Sequence, residues 1–173
     1  EKYKLNKSDF VIGSFQRDSE GSDLSKAKLI KGPDRLIEIY KYYKNIYPNL
    51  TILLTGRRRD YIINELKKEK INFVYKEMVN FDELNELYNC LDLYIVASRK
   101  EGGPQAILEC AITETPILST DVGIASEILS PESIFTMSNF QDAKPNVNWA
   151  LKNTQKHTIP NSFENFKNMF YSV

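Results

Sequence analysis

Two carboxylates eight positions apart, Glu101 and Glu109, enclose Gly102-Gly103-Pro104-Gln105-Ala106-Ile107-Leu108. The apolar run Leu91–Ala97 just upstream reads as a buried strand, and Ala106 to Ile112 downstream reads as a helix. Glu101 therefore falls in a strand-to-helix loop. Glu109 falls just over one turn into the helix, where its side chain leans back toward the N-terminus. Pro104 suits the first helical position, where its missing N–H costs nothing. Gly102 and Gly103 let the backbone approach a ligand closely. The free N–H groups and the helix dipole at that end favour an anion. Two carboxylates beside an anion site ask for a ligand that also carries hydroxyl donors. A sugar nucleotide has that mixture: phosphates for the N–H groups, sugar and ribose hydroxyls for the glutamates. Either glutamate alone would more ordinarily be a solvated surface charge; the order strand, glycine pair, proline, helix argues for a site.

Such a loop needs a sheet beneath it, and the rest of the chain supplies one. Phe10–Phe15 reads as a short apolar strand, followed by a polar loop over Gln16–Ile30, either a surface insertion or a functional lid. Gly32-Pro33-Asp34 opens a helix whose stripe is Leu36, Ile39, Tyr40, Tyr43, Ile46 and Tyr47, closed by Pro48-Asn49. Leu50–Thr55 is a second strand ended by Gly56, and Tyr61–Lys70 a helix with Ile62, Ile63 and Leu66 inward. Ile71–Tyr75 is the third strand. Asn80 and Glu83 form a capping pair for a helix with apolar Phe81, Leu84, Leu87, Tyr88 and Leu91. After the fourth strand and the glutamate helix come a strand at Thr115–Ser119, a short helix at Ile124–Leu129 and a strand at Ser133–Thr136. Strands that are apolar throughout, alternating with helices, predict an α/β fold: a doubly wound, Rossmann-like parallel sheet of about six strands with ligands at its carboxyl edge. Segments starting at Gly13, Gly56, Met78 and Ser98 open onto that edge.

The chain is expected to be one domain over residues 1–173, with a core at about 9–136 and a helical segment at about 145–171. Trp149, Phe163, Phe166 and Phe170 in that segment either pack on another domain or complete this core. Lys and Arg balance Asp and Glu, 23 against 23, so no net field recruits nucleic acid or an anionic membrane. No apolar run is long enough to span a bilayer, and no signal peptide opens the sequence. Cys90 and Cys110 lie among apolar residues in predicted helices and read as reduced core thiols, which fits a cytoplasmic protein. With one histidine, His157, catalytic triads built on histidine and most transition-metal clusters drop out. The charged opening Glu1-Lys2-Tyr3-Lys4 reads as an interdomain linker, so an excised domain is expected.

On these residues the chain resembles the family 4 glycosyltransferases (glycosyltransferase group 1) of GT-B architecture, whose signature is two glutamates with seven residues between them, as Glu101 and Glu109 have here. The resemblance is to the C-terminal, donor-binding domain and covers Asp9 to Leu129. It is carried by Lys31-Gly32, Thr55-Gly56, Ser98-Arg99, Glu101 to Glu109, and Asp121-Val122-Gly123 through Glu127. It implies one half of a GT-B enzyme that moves a hexose, with retention, from a nucleoside diphosphate sugar to a glycan or lipid-linked acceptor. The acceptor would be bound by an N-terminal domain outside this chain, and the half alone would be inactive. Arg17 and Lys31 then correspond to the cations that stabilise the departing diphosphate. The gap between them is longer than is usual in the family, and Lys26 or Lys28 is an alternative to Arg17. Glu101 would contact the donor sugar near its anomeric carbon, and Glu109 the ribose. The N–H groups from Gly102, Gly103, Pro104 and Gln105 would face sugar or phosphate oxygens, bar proline's absent one, and Met78 would lie along the base. Arg57, in the triplet Arg57-Arg58-Arg59, departs from the family pattern and is a secondary phosphate candidate. Gly123 and Glu127 match a later family loop but suit a helix start equally well. There is no Asp-x-Asp motif; the resemblance implies no metal and no cofactor, and a cytoplasmic location, peripheral at the inner face of a membrane if the absent domain attaches there.

Three other readings compete. A GT-B relative such as a sugar-nucleotide epimerase or a phosphorylase is one, although no pyridoxal lysine is recognisable. A non-catalytic nucleotide-sugar module is the second, opposed by the intact glutamate pair with Lys31. A dinucleotide-binding domain is excluded because no Gly-x-Gly-x-x-Gly follows a strand.

Overall fold

The computed structural model describes residues 2–22 and 24–171, apart from the side chains of residues 165 and 166. The expectation for Phe166 therefore lies outside the described residues. Strand β1 (Phe10–Ser14) leads into a hairpin of β2 (Ser19–Glu20) and β3 (Lys26–Ala27), a 3-10 turn at Leu29–Lys31 and helix α1 (Pro33–Ile46). Then come β4 (Leu50–Thr55), α2 (Asp60–Lys68), β5 (Asn72–Lys76), α3 (Phe81–Tyr88), β6 (Leu93–Val96) and α4 (Gln105–Ile112). The chain continues with β7 (Ile117–Thr120), α5 (Ala125–Ile128), β8 (Ile134–Phe135), α6 (Val147–Thr154) and α7 (Asn161–Tyr171).

The main sheet has six strands in the order β5-β4-β1-β6-β7-β8, and its pairings are parallel. Setting the hairpin aside, that is strand order 3-2-1-4-5-6, the doubly wound arrangement. Its direction of winding reverses between β1 and β6, and a crevice opens at the carboxyl ends there. The strands are apolar on both faces because helices cover both. Ile12, Ile52, Leu54, Leu93 and Ile95 pack against Leu36 and Tyr40 of α1 and Ile62 and Leu66 of α2. Val11, Leu53, Tyr94 and Val96 pack against Leu87 of α3, Ile107 and Cys110 of α4, and Ile128 of α5.

Several local expectations change. The segment Gln16–Ile30 is not a plain loop, because the β2–β3 hairpin forms within it. Pro104 is the N-cap residue of α4 rather than its first helical residue; its carbonyl accepts from Ile107 N at 3.0 Å. The Asn80 side chain caps α3 by accepting from Glu83 N at 2.8 Å. Glu83 does not return the bond, since its carboxylate pairs with Lys76 at 3.3 Å. Phe81 and Ile46, read as inward, are exposed; Phe81 retains 90% of its surface. Trp149, Phe163 and Phe170 are about half exposed or more. Both cysteines are free thiols; Cys110 is buried and Cys90 half-buried, and burial pushes each thiol up from its ordinary value. Among the described residues no helix is long and apolar enough to cross a membrane, and no three His, Cys, Asp or Glu side chains group to hold a metal ion.

Candidate functional site

The carboxyl ends of β1, β4, β5 and β6 surround a cavity of about 440 Å³. Lys31, Met78, Glu101, Gly103, Pro104, Gln105 and Glu109 line it, joined by Phe15, Gln16 and Tyr88. Residues separated by as many as 94 positions, Phe15 and Glu109, thus meet at the switch point of the sheet.

Glu101 is tied down by three hydrogen bonds from two partners. Lys31 Nζ donates to Oε1 at 2.6 Å and to Oε2 at 2.5 Å, and Ser98 Oγ donates to Oε1 at 2.9 Å. The Glu101 side chain keeps 11% of its surface and the lysine side chain 26%, so the pair is largely shielded from water and its attraction is stronger than on an open surface. Lys31 owes its place to its neighbour. Gly32 adopts φ +67°, and a Cβ there would lie 2.0 Å from the Ala97 carbonyl oxygen. Glycine alone lets the turn before α1 press against the end of β6, which brings Lys31 beside Glu101. Arg99 fastens the same junction, donating to both oxygens of Asp34 at 2.8 and 2.6 Å and to the Leu29 carbonyl at 2.6 Å. This bond holds the Asp34 carboxyl below its usual value.

Glu109 is held by Tyr88, whose hydroxyl donates to Oε2 at 2.6 Å. Tyr88 is 3% exposed, within a group of rings that includes Phe15 and Tyr94, with centroids 5.0 and 5.7 Å from its own. Burial pushes the Tyr88 phenol far up, with smaller upward contributions from Tyr94, Cys110 and Glu109. One oxygen of Glu109 is thereby oriented, and the residue lines the cavity.

Between the glutamates, Gly102 and Gly103 are exposed, and a Cβ on either would meet nothing within 4 Å. Among the described residues the N–H groups of Gly102, Gly103 and Gln105 donate to no protein atom. The loop is supported from below by Gly123, at φ +55°, where a Cβ would come within 2.8 Å of Pro104 Cδ. Gly123 accordingly has a packing reason to be glycine, and Gly102 itself lies on the loop just outside the cavity wall.

Two predicted cations lie elsewhere. Arg17 is exposed and outside the cavity wall, its Nε donating to the Ser19 carbonyl at 3.2 Å. Arg57 is also outside, 72% exposed and 3.7 Å from the Glu77 carboxylate. The triplet's third member behaves differently. Arg59 is fully buried, paired with Asp18, and its guanidinium donates to the carbonyls of Ser14 at 2.5 Å and Thr55 at 2.7 Å. It ties the carboxyl ends of β1 and β4 to the hairpin. The sequence marked Ser98 only as part of the Ser98-Arg99 match and of a segment at the carboxyl edge, and Arg59 only as part of the basic triplet; the partners of both are new. Tyr88 was missed, because it sat in an apolar helical stripe.

Comparison with solved structures places this geometry among known folds. HepE of Anabaena, solved with UDP and glucose, superposes with a TM-score of 0.72 at 16% identity, covering 96% of this chain and 49% of that one. S. aureus TarM, in a complex with fondaparinux, alpha-GlcNAc-glycerol and UDP, gives 0.67 at 15% identity, with 96% and 36% covered. The catalytic domain of cholesterol-alpha-glucosyltransferase from Helicobacter pylori gives 0.61 at 18%, with 95% and 99% covered. The chain thus spans half or less of the first two. No curated protein sequence matches it. The family profile described as Glycosyl transferases group 1 matches residues 24–164, so the chain belongs to the group 1 glycosyl transferases.

Proposed function

We propose that this chain is the donor-binding half of a retaining hexosyltransferase that uses a nucleoside diphosphate sugar and passes its sugar to a glycan or lipid-linked acceptor. The observation that carries the reading is the cavity at the switch point, where a cation, unpaired loop N–H groups and two carboxylates meet. The N–H groups of Gly103 and Gln105 and the Lys31 ammonium suit a diphosphate, and cations there stabilise the charge that develops on the leaving group. Glu109, with one oxygen oriented by Tyr88, accepts from the ribose hydroxyls. Glu101 accepts from the donor sugar. Arg17 supplies a second cation by leaving the Ser19 carbonyl, one residue beyond the cavity-lining Gln16. Met78, at the rim and 66% exposed, offers an apolar face to the base. Arg57 remains a peripheral contact for the phosphates. No metal or organic cofactor enters this reading. HepE and TarM were both solved with UDP, which makes UDP the first ligand to try. The remainder of the GT-B enzyme, a facing domain that takes the acceptor, lies outside residues 1–173 in this reading. These residues alone bind donor and transfer nothing.

Isothermal calorimetry with UDP, GDP and ADP and their glucose conjugates tests the reading. One nucleotide family is expected to bind, and Glu109→Ala is expected to weaken it about ten- to hundredfold, the worth of a charge-assisted hydrogen bond. Absence of binding to every nucleoside diphosphate at millimolar concentration refutes it.

A further inference from the structure

The site cation is already spent. Lys31 Nζ reaches both oxygens of Glu101, at 2.6 and 2.5 Å. An ammonium offers three donors in one small volume, so a diphosphate bound at Lys31 must draw on the group that now neutralises Glu101. Ser98 still donates to Glu101, but one hydroxyl does not replace a cation. A glutamate whose side chain is 11% exposed is poorly placed to recover solvation from water.

We infer that the Lys31–Glu101 ion pair makes Glu101 a specificity determinant that penalises a bare nucleoside diphosphate relative to one still carrying its sugar. The inference rests on the nucleotide-sugar reading above. When the ligand bears a hexose, sugar hydroxyls donate to Glu101 as Lys31 turns to the phosphates, and every polar group remains satisfied. When the sugar is gone, those donors leave with it. The diphosphate then lies beside a carboxylate that has lost its partner, and two anions compete for one lysine. Return of Lys31 to Glu101 favours release of the nucleoside diphosphate. The same residue that positions the donor sugar thus discriminates donor from product, through an exchange of partners rather than through a contact to the nucleotide.

The test is a double-mutant cycle with Glu101→Gln, Lys31→Met and the pair together, read by calorimetry at constant ionic strength. The ligands are UDP, UDP-glucose and inorganic pyrophosphate, the last being independent of the base. Glu101→Gln is expected to bind UDP and pyrophosphate about tenfold more tightly, within the usual range for coupled neighbours, and UDP-glucose no better or worse than before. In the Lys31→Met background the gain should disappear. Glu77→Gln removes another carboxylate that lines the cavity and controls for simple charge reduction. Equal gains from Glu77→Gln and Glu101→Gln, or a gain that persists without Lys31, overturn the inference. Should Glu101→Gln fail to fold by near-UV circular dichroism, Glu101→Ala serves with the same expectations. Failure of the two readings is distinguishable. If the wild-type protein binds no nucleoside diphosphate or conjugate, the nucleotide-sugar reading falls and the discrimination falls with it, though pyrophosphate still reports the ion-pair coupling. If UDP-glucose binds and Glu101→Gln weakens UDP and UDP-glucose alike, the reading stands and the inference falls.

Discussion

Arg59→Met tests how the cavity is anchored. The native guanidinium is fully buried and serves Asp18, the carbonyls of Ser14 and Thr55, and Ser14 Oγ at 3.1 Å. Methionine fills similar space but donates nothing. It leaves Asp18 with Ser19 Oγ at 2.9 Å and Ile62 N at 3.3 Å as its remaining donors. Breaking a buried pair by removing one partner costs about 3–5 kcal/mol, because a charge is left uncompensated. Against a total stability of about 5–15 kcal/mol, that is a large fraction. With a slope of about 1–3 kcal/mol per molar urea, the midpoint should fall by about 1–5 M. Adding Asp18→Leu removes the stranded charge, so the double variant should recover much of the loss. The deficit should also depend on pH. Burial raises the Asp18 carboxyl from its ordinary value, and the Arg59 charge opposes that rise; without Arg59 it climbs further. A group whose folded pKa lies above its unfolded value contributes stability below the unfolded value and loses it as pH rises through the folded one. The deficit relative to wild type should therefore be smaller near about pH 4 than near pH 7. Urea titrations followed by tryptophan fluorescence at both pH values measure this. A loss under about 1 kcal/mol, or one that is the same at both pH values, refutes the assignment of Arg59 and Asp18 as a charged, mutually dependent anchor.

Three further outcomes are expected. Tyr88→Phe should leave the melting temperature nearly unchanged yet weaken UDP about tenfold by releasing Glu109; an unchanged affinity argues against Tyr88 as its positioning residue. Gly32→Ala forces an alanine to φ +67° with its Cβ against the Ala97 carbonyl, and strain plus overpacking should cost about 2–5 kcal/mol in thermal unfolding. Asp34→Asn should cost under about 1 kcal/mol at neutral pH, because the Arg99 pair is about a third exposed. Because Arg99 lowers the Asp34 pKa, that contribution is present above the unfolded carboxylate value and fades as pH falls, so variant and wild type should converge in acid.

The local pattern determined a great deal by itself. Strands such as Leu50–Thr55 are apolar on both faces, and only a sheet covered by helices on both sides satisfies them, so the layered α/β fold was legible. The glutamate spacing, the glycine pair and Pro104 marked the loop between β6 and α4, although Pro104 caps α4 rather than opening it and a Cβ on either glycine would meet nothing within 4 Å. What charges do with one another was not legible. Arg57, Arg58 and Arg59 look alike in sequence, yet Arg57 is 72% exposed beside Glu77 while Arg59 is buried against Asp18. The difference arises from the trajectory after Gly56, where Arg58 turns left-handed at φ +61° and directs the next side chain under the hairpin. The hairpin itself is a pair of two-residue strands, too short to show a period. The same holds for the site's fine structure: Lys31 meets Glu101 and Tyr88 meets Glu109 across separations of 70 and 21 residues. Partner choice over such distances depends on how the strands are ordered in space, and that order is a property of the packed sheet rather than of any stretch of chain.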